Sequence, residues 1–237
     1  MGQMDTARYE APVEGPPPHP PSGHAPDDGG VQPILNAPWP VVVLTTSIVA
    51  AYALQTRAPM DAVVERFAFS PALLMHGDWG RLLTSLFVHG SWAHALMNAA
   101  FILAFGAPVA RFFGPRMKGV ALFAVFYLAC GALAGLGFAA LHWGQAAALV
   151  GASGAASGLM GAAARLIGGR GEVGPMFSRA VTGMGAGWIV INIIMAFAGG
   201  ALIPGAGGAA IGWEAHLAGF AAGVLLMSPF GWLERRL

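Results

Sequence analysis

Six apolar stretches constrain this chain more than any other feature. Residues 39–55, 89–109, 120–141, 152–164, 181–197 and 215–232 contain no Lys, Arg, Asp or Glu at all. A helix crossing the hydrocarbon core of a bilayer needs roughly 20 such residues. A soluble domain of similar size is about one quarter charged, whereas here charged residues make up 10% and hydrophobic residues 56%. These runs predict an all-α membrane protein with six transmembrane helices, beginning at Trp39. The fourth stretch is barely long enough to span, so it is either short or recessed among its neighbours. The chain contains 35 glycines. Small residues let membrane helices approach closely, where packing rather than hydrophobicity drives association.

Other classes fall away. The net charge of +1 comes without a basic stripe, so no nucleic-acid partner is expected. Cys130 is the single cysteine; it permits no intrachain disulfide and no multi-cysteine metal site, and its apolar surroundings mark it as an inert core residue. No metal or cofactor is expected. Residues 1–38 lack an apolar core segment and are rich in Pro, Gly and acidic residues, including Pro16, Pro17, Pro18, Asp27 and Asp28. They read as a disordered cytoplasmic tail rather than a signal peptide, leaving 39–237 as the membrane domain.

Positive charge sets the orientation. Arg111, Arg116 and Lys118 follow the second stretch, Arg165, Arg170 and Arg179 follow the fourth, and Arg235 and Arg236 close the chain. With six spans all three sets share one side. The opposite connections, 143–150 and 199–212, contain no Lys or Arg. The positive-inside rule then places both termini in the cytoplasm. The long first connection, 57–88, conflicts with this scheme because it carries Arg57, Arg66 and Arg81 on the outer side.

Polar side chains within such spans are functional candidates by default. His94, Asn98, Ser153 and His216 stand out. His94 and Asn98, four residues apart, lie about 40° apart on one helix face. They present an imidazole N–H and an amide to one point, as an oxyanion requires; two polar residues joining helices would look the same. Ser153 lies in Gly151-Ala152-Ser153-Gly154 at the start of a span, where free N–H groups favour negative charge. A serine needs a base to take its proton, and His216 stands at similar depth in the last span. Taken singly, His216 fits a structural histidine equally well. Both helices carry glycine pairs suited to close packing: Gly154 and Gly158, Gly219 and Gly223. No Asp or Glu lies within a span to complete a triad, and Glu214 points to a different face from His216. A protease built from these residues would run on a dyad.

Taken in order, these motifs resemble the rhomboid intramembrane serine proteases of the compact six-helix bacterial type. Trp79-Gly80-Arg81 leads into the second helix; His89, His94 and Asn98 match the H-x4-H-x3-N arrangement; Gly151-Ala152-Ser153-Gly154 matches the nucleophile motif; and Ala215-His216-Leu217-Ala218-Gly219 matches the base motif, with Gly223 one turn on. The resemblance implies a six-helix bundle in the bacterial inner membrane that cuts transmembrane protein substrates through an acyl-enzyme. It implies Ser153 as nucleophile, His216 as general base, and the Ser153 N–H, His94 and Asn98 as oxyanion donors. His89 would organise the loop and water access. Gly151 would permit close packing, Trp79 and Arg81 would belong to a membrane-embedded first loop, and 199–212 would form a flexible cap. Two positions depart from the family pattern. Ser157 stands where an aromatic residue often stacks under the base, and Gly80 where a bulkier residue is common. The oligomeric state is left open. Two readings from other classes remain: a non-cleaving protein that binds transmembrane helices, and a small transporter, which would need charged residues along a central path.

Overall fold

Trp39–Gln55 forms the first helix (α1), with Pro40 in its opening turn, where the missing N–H costs nothing. The structure, a computed structural model, describes residues 1, 37–198 and 212–236. The expected tail over 2–36 and most of the expected cap, 199–211, lie outside the described residues. Short helices follow at Met60–Phe67 (α2), Pro71–Met75 (α3) and Arg81–Thr84 (α4), the last running into a 3-10 turn at Ser85–Phe87. Then come Trp92–Phe113 (α5), Met117–Leu141 (α6), Ser153–Gly168 (α7), Arg179–Ala198 (α8) and Trp213–Arg236 (α9).

Each apolar stretch lies largely on one of the helices α1 and α5–α9, the 89–109 stretch reaching three residues ahead of α5. Among the described residues four helices, α5, α6, α8 and α9, are long and apolar enough to cross a membrane. Helix α1 has 17 residues and α7 has 16, which at 1.5 Å per residue is about 24 Å for α7, short of the roughly 30 Å hydrocarbon core. The fourth stretch is thus both short and recessed. Every residue of α7 from Gly154 to Leu166 is buried, as expected of a mostly apolar helix at the centre of a bundle.

The small residues explain how neighbours close on α7. A Cβ at Gly219 would run into the Gly154 carbonyl, one at Gly223 into the Gly158 carbonyl, and one at Gly161 into the Phe220 carbonyl. Helices α7 and α9 therefore meet backbone to backbone. Helix α8 is the loosest of the four long helices, with 17% of its apolar window buried against 39–50% for the others.

The first connection is short helices rather than open loop. Arg81 donates from Nε to Asp78 Oδ2 at 2.5 Å, and from its guanidinium to the carbonyls of Glu65 at 2.5 Å and Ala68 at 3.3 Å. One of the cations that conflicted with the charge rule is thus neutralised inside the connection. At the far end of the bundle Arg165 is 4% exposed and donates to the Gly174 carbonyl, the Val224 carbonyl and Ser228 Oγ at 2.6, 2.6 and 2.8 Å. Lys118 donates to the Glu234 carbonyl there.

Candidate active site

Three helix starts converge at the end of the bundle away from Arg165 and Lys118. Helix α5 begins at Trp92 behind Ser91, whose side chain accepts the His94 N–H at 3.1 Å as an N-cap. Helix α7 begins at Ser153 and α9 at Trp213, so His94, Ser153 and His216 all lie in first turns. Backbone pairing fixes the strand of chain leading to Ser153. Leu149 N–H donates to Phe69 O at 2.8 Å, Phe69 N–H to Leu149 O at 3.1 Å, and Gly151 N–H to Ser85 O at 3.0 Å.

His216 Nε2 lies 2.8 Å from Ser153 Oγ. His216 is 7% exposed and Ser153 is half-buried. As the first residue of α7, Ser153 also has a backbone N–H that finds no acceptor within the helix. Beside it, Gly151 has φ +110°, and a Cβ there would stand 2.7 Å from His94 Nε2 and 3.5 Å from Asn98 Nδ2. His94 and Asn98 thus converge on the backbone just ahead of the serine. The Gly90 N–H approaches His94 Nδ1 at 3.4 Å, which leaves Nε2 as the protonated, donating nitrogen. Asn98 Nδ2 is buried with no acceptor among the described residues. Two donors therefore sit together at Gly151, two residues ahead of Ser153.

His89 is completely buried. Its backbone is gripped by the Gln55 amide, which donates to His89 O at 2.6 Å and accepts from His89 N–H at 3.1 Å. Its ring nitrogen Nε2 accepts from Ala152 N–H at 3.4 Å. It braces the turn before the serine and sits edge-on to His94, ring centres 5.0 Å apart. Gly219 belongs to the α7–α9 seam. Trp79 is exposed on the first connection, and Arg81 is engaged within that connection, so neither joins the Ser153–His216 group.

Ser157 does not support the base. Its hydroxyl donates to Ser153 O at 2.7 Å. The ring against His216 is Trp188 of α8, at 5.7 Å between centres and 38° between planes. One turn further along α8, Asn192 Oδ1 lies 2.7 Å from His216 Nδ1. No acid occupies the third position; an amide does. Its signal was available, since Asn192 is the only Asn, Asp, Gln, Glu, Lys, Arg or His in the stretch 181–197.

The family model described as Rhomboid domain matches residues 76–232, well over half of the chain. The chain belongs to the rhomboid family. Rhomboids are in general intramembrane serine proteases acting on membrane proteins within the bilayer, and this rhomboid is an integral, multi-pass membrane protein, with four helices among the described residues long and apolar enough to span. The match contains His89, His94, Asn98, Ser153, Asn192 and His216, and leaves out residues 1–75, including α1. A search of curated proteins returns no match.

Proposed function

We propose that this rhomboid is an intramembrane serine endopeptidase that cleaves transmembrane segments of other proteins through an acyl-enzyme. The observation that carries the reading is the 2.8 Å approach of His216 Nε2 to Ser153 Oγ, between two helices that close on each other at Gly154, Gly158, Gly219 and Gly223. Ser153 attacks the scissile carbonyl while His216 takes its proton, and water later releases the acyl group. The Ser153 N–H, His94 Nε2 and Asn98 Nδ2 stabilise the oxyanion. Asn98 Nδ2 is buried with no acceptor among the described residues, a costly state for an amide, and a developing negative charge would supply one. All six helices take part in the membrane domain, with both termini cytoplasmic and the reactive end facing the outer side of a bacterial inner membrane. The basic groups near Lys118, Arg165 and Arg235 gather at the opposite end, as the positive-inside rule asks.

The substrate helix must unwind to reach Ser153, because lipid cannot satisfy exposed backbone groups. Helix-breaking or small residues at the cleavage point lower that barrier. Labelling with a fluorophosphonate probe in mild detergent tests the reading: the parent should label, and Ser153→Ala and His216→Ala should not. A folded parent that neither labels nor cuts a transmembrane substrate in liposomes would sink it in favour of a helix-binding protein.

A further inference from the structure

Asn192 is wholly buried in α8, and both ends of its amide are engaged. Nδ2 donates to the Trp188 carbonyl at 2.8 Å. Oδ1 faces His216 Nδ1 at 2.7 Å. His216 Nε2 in turn faces Ser153 Oγ at 2.8 Å. We propose that Asn192 is the positioning residue of the catalytic base, the third member of a Ser153–His216–Asn192 relay, and that it fixes His216 in the tautomer able to accept the serine proton. This rests on the protease reading above.

Donors and acceptors fix the orientation of the amide. The Trp188 carbonyl only accepts, so the amide nitrogen must face it and the amide oxygen must face the imidazole. With the flip reversed, two oxygens would face each other across the Trp188 contact. An amide oxygen only accepts, so Nδ1 must carry the proton, and a neutral imidazole protonated at Nδ1 has its lone pair at Nε2, towards Ser153 Oγ. A backbone carbonyl of α8 therefore sets the orientation of a side chain that sets the tautomer of the base. When His216 takes the serine proton, the Nδ1–H already points along the amide dipole, which stabilises the cation without placing a carboxylate in the bilayer. Trp188, one turn away, lies against the ring, 5.7 Å between centres. This arrangement accounts for the absence of an aromatic residue at Ser157: the base is steadied from α8 rather than from α7.

The relay also ties the base to α8, the least buried of the long helices. Any outward displacement of α8 would separate Asn192 from His216.

The test uses the full chain in detergent or liposomes, comparing the parent with Asn192→Leu, Asn192→Asp and Ser153→Ala. Leu removes the acceptor without imposing the wrong tautomer. Its kcat should fall about 10–100-fold with KM within about twofold, less than the roughly 10⁴-fold seen in a soluble triad when Asp→Asn enforces the wrong tautomer. Asp, kept neutral by burial, retains the acceptor and gives the Trp188 carbonyl an O–H in place of the amide N–H, so it should recover most of the lost kcat. Nitrogen NMR of 15N-histidine protein, with His216→Gln to assign the signal, should show His216 protonated at Nδ1 in the parent. An Nε2–H tautomer in the parent would overturn the proposal even if every variant misfolded. So would a folded Asn192→Leu enzyme with parental kcat, or loss of kcat that Asp does not restore. A parent that labels with fluorophosphonate while Asn192→Leu labels at the same rate defeats the relay alone. A parent that fails to label defeats the protease reading and the relay together.

Discussion

The carbonyl oxygen of Gly158 on α7 occupies the place where a side chain on Gly223 of α9 would begin. Backbone cannot give way as a flexible side chain can, so Gly223→Ala should cost more than the ~1–3 kcal/mol of ordinary overpacking. Gly183 provides the control. It lies on α8 with open space around its Cβ position, and Gly183→Ala should be neutral or stabilising by up to about 1 kcal/mol through helix propensity. Thermal unfolding of both variants in one detergent decides this; equal stabilities would mean that α7 and α9 are not in backbone contact.

Asn98 should separate stability from activity. Its Nδ2 is buried without an acceptor among the described residues, a state that costs about 1–3 kcal/mol. Asn98→Ala removes that cost and leaves only a small void, so the melting temperature should stay level or rise. The same change should lower kcat by roughly 10²–10³, the loss on deleting one oxyanion donor in a soluble serine protease. His94→Ala should lower kcat similarly. An Asn98→Ala enzyme that loses stability and keeps its kcat would make Asn98 a structural residue.

Gly151→Ala combines two penalties at one atom. The positive φ strains any side chain, and the new Cβ would press on His94 Nε2 from 2.7 Å. His94 has to move, and it is a proposed oxyanion donor. Fluorophosphonate labelling should slow by at least about 10², while Ser153 and His216 remain in place. A variant labelling at the parental rate would show that His94 does not act where it stands.

The apolar stretches and the polar positions His94, Asn98, Ser153 and His216 were legible because the bilayer makes a polar group conspicuous. The length of each stretch alone indicated helix, and the Gly154/Gly158 and Gly219/Gly223 spacing anticipated the seam of α7 with α9. What could not be read were pairings across distant segments. Gln55 grips His89 across 34 residues, Phe69 pairs with Leu149, and Arg81 closes the first connection on itself. None of these leaves a local period. Asn192 was legible as a polar residue but not as a partner of His216, because nothing in the sequence says which face of α8 meets α9. An amide oxygen carries no charge to mark it in the sequence, yet it can face an imidazole as a carboxylate would, at lower desolvation cost.

Arg165 should act on folding alone. Its guanidinium joins the Gly174 turn to Val224 and Ser228 of α9 at the end of the bundle opposite Ser153. Arg165→Met keeps much of the bulk but abandons three acceptors, so stability should fall by about 1–3 kcal/mol. The fluorophosphonate labelling rate per folded molecule should stay within about twofold. A large loss of labelling in a fully folded Arg165→Met protein would reveal coupling between the two ends.

At the reactive end, His142 Nε2 lies 3.0 Å from Glu214 Oε1, joining the end of α6 to the first turn of α9, two residues before His216. The hydrogen bond to Glu214 raises the His142 pKa above its ordinary 6.5, and a second one to Gln145 raises it further. A folded-state pKa above the unfolded value means that the tie stabilises fully below about pH 6.5. Its contribution fades as pH rises through the raised folded value. The melting temperature of the parent should therefore exceed that of His142→Ala most clearly near pH 6, with the gap narrowing towards pH 9. Because the pair is partly exposed, the gap should also shrink in high salt. A gap that stayed constant or widened with pH would show that neutral His142 packs against Phe138, 4.4 Å away between ring centres, and that its charge plays no part in seating α9.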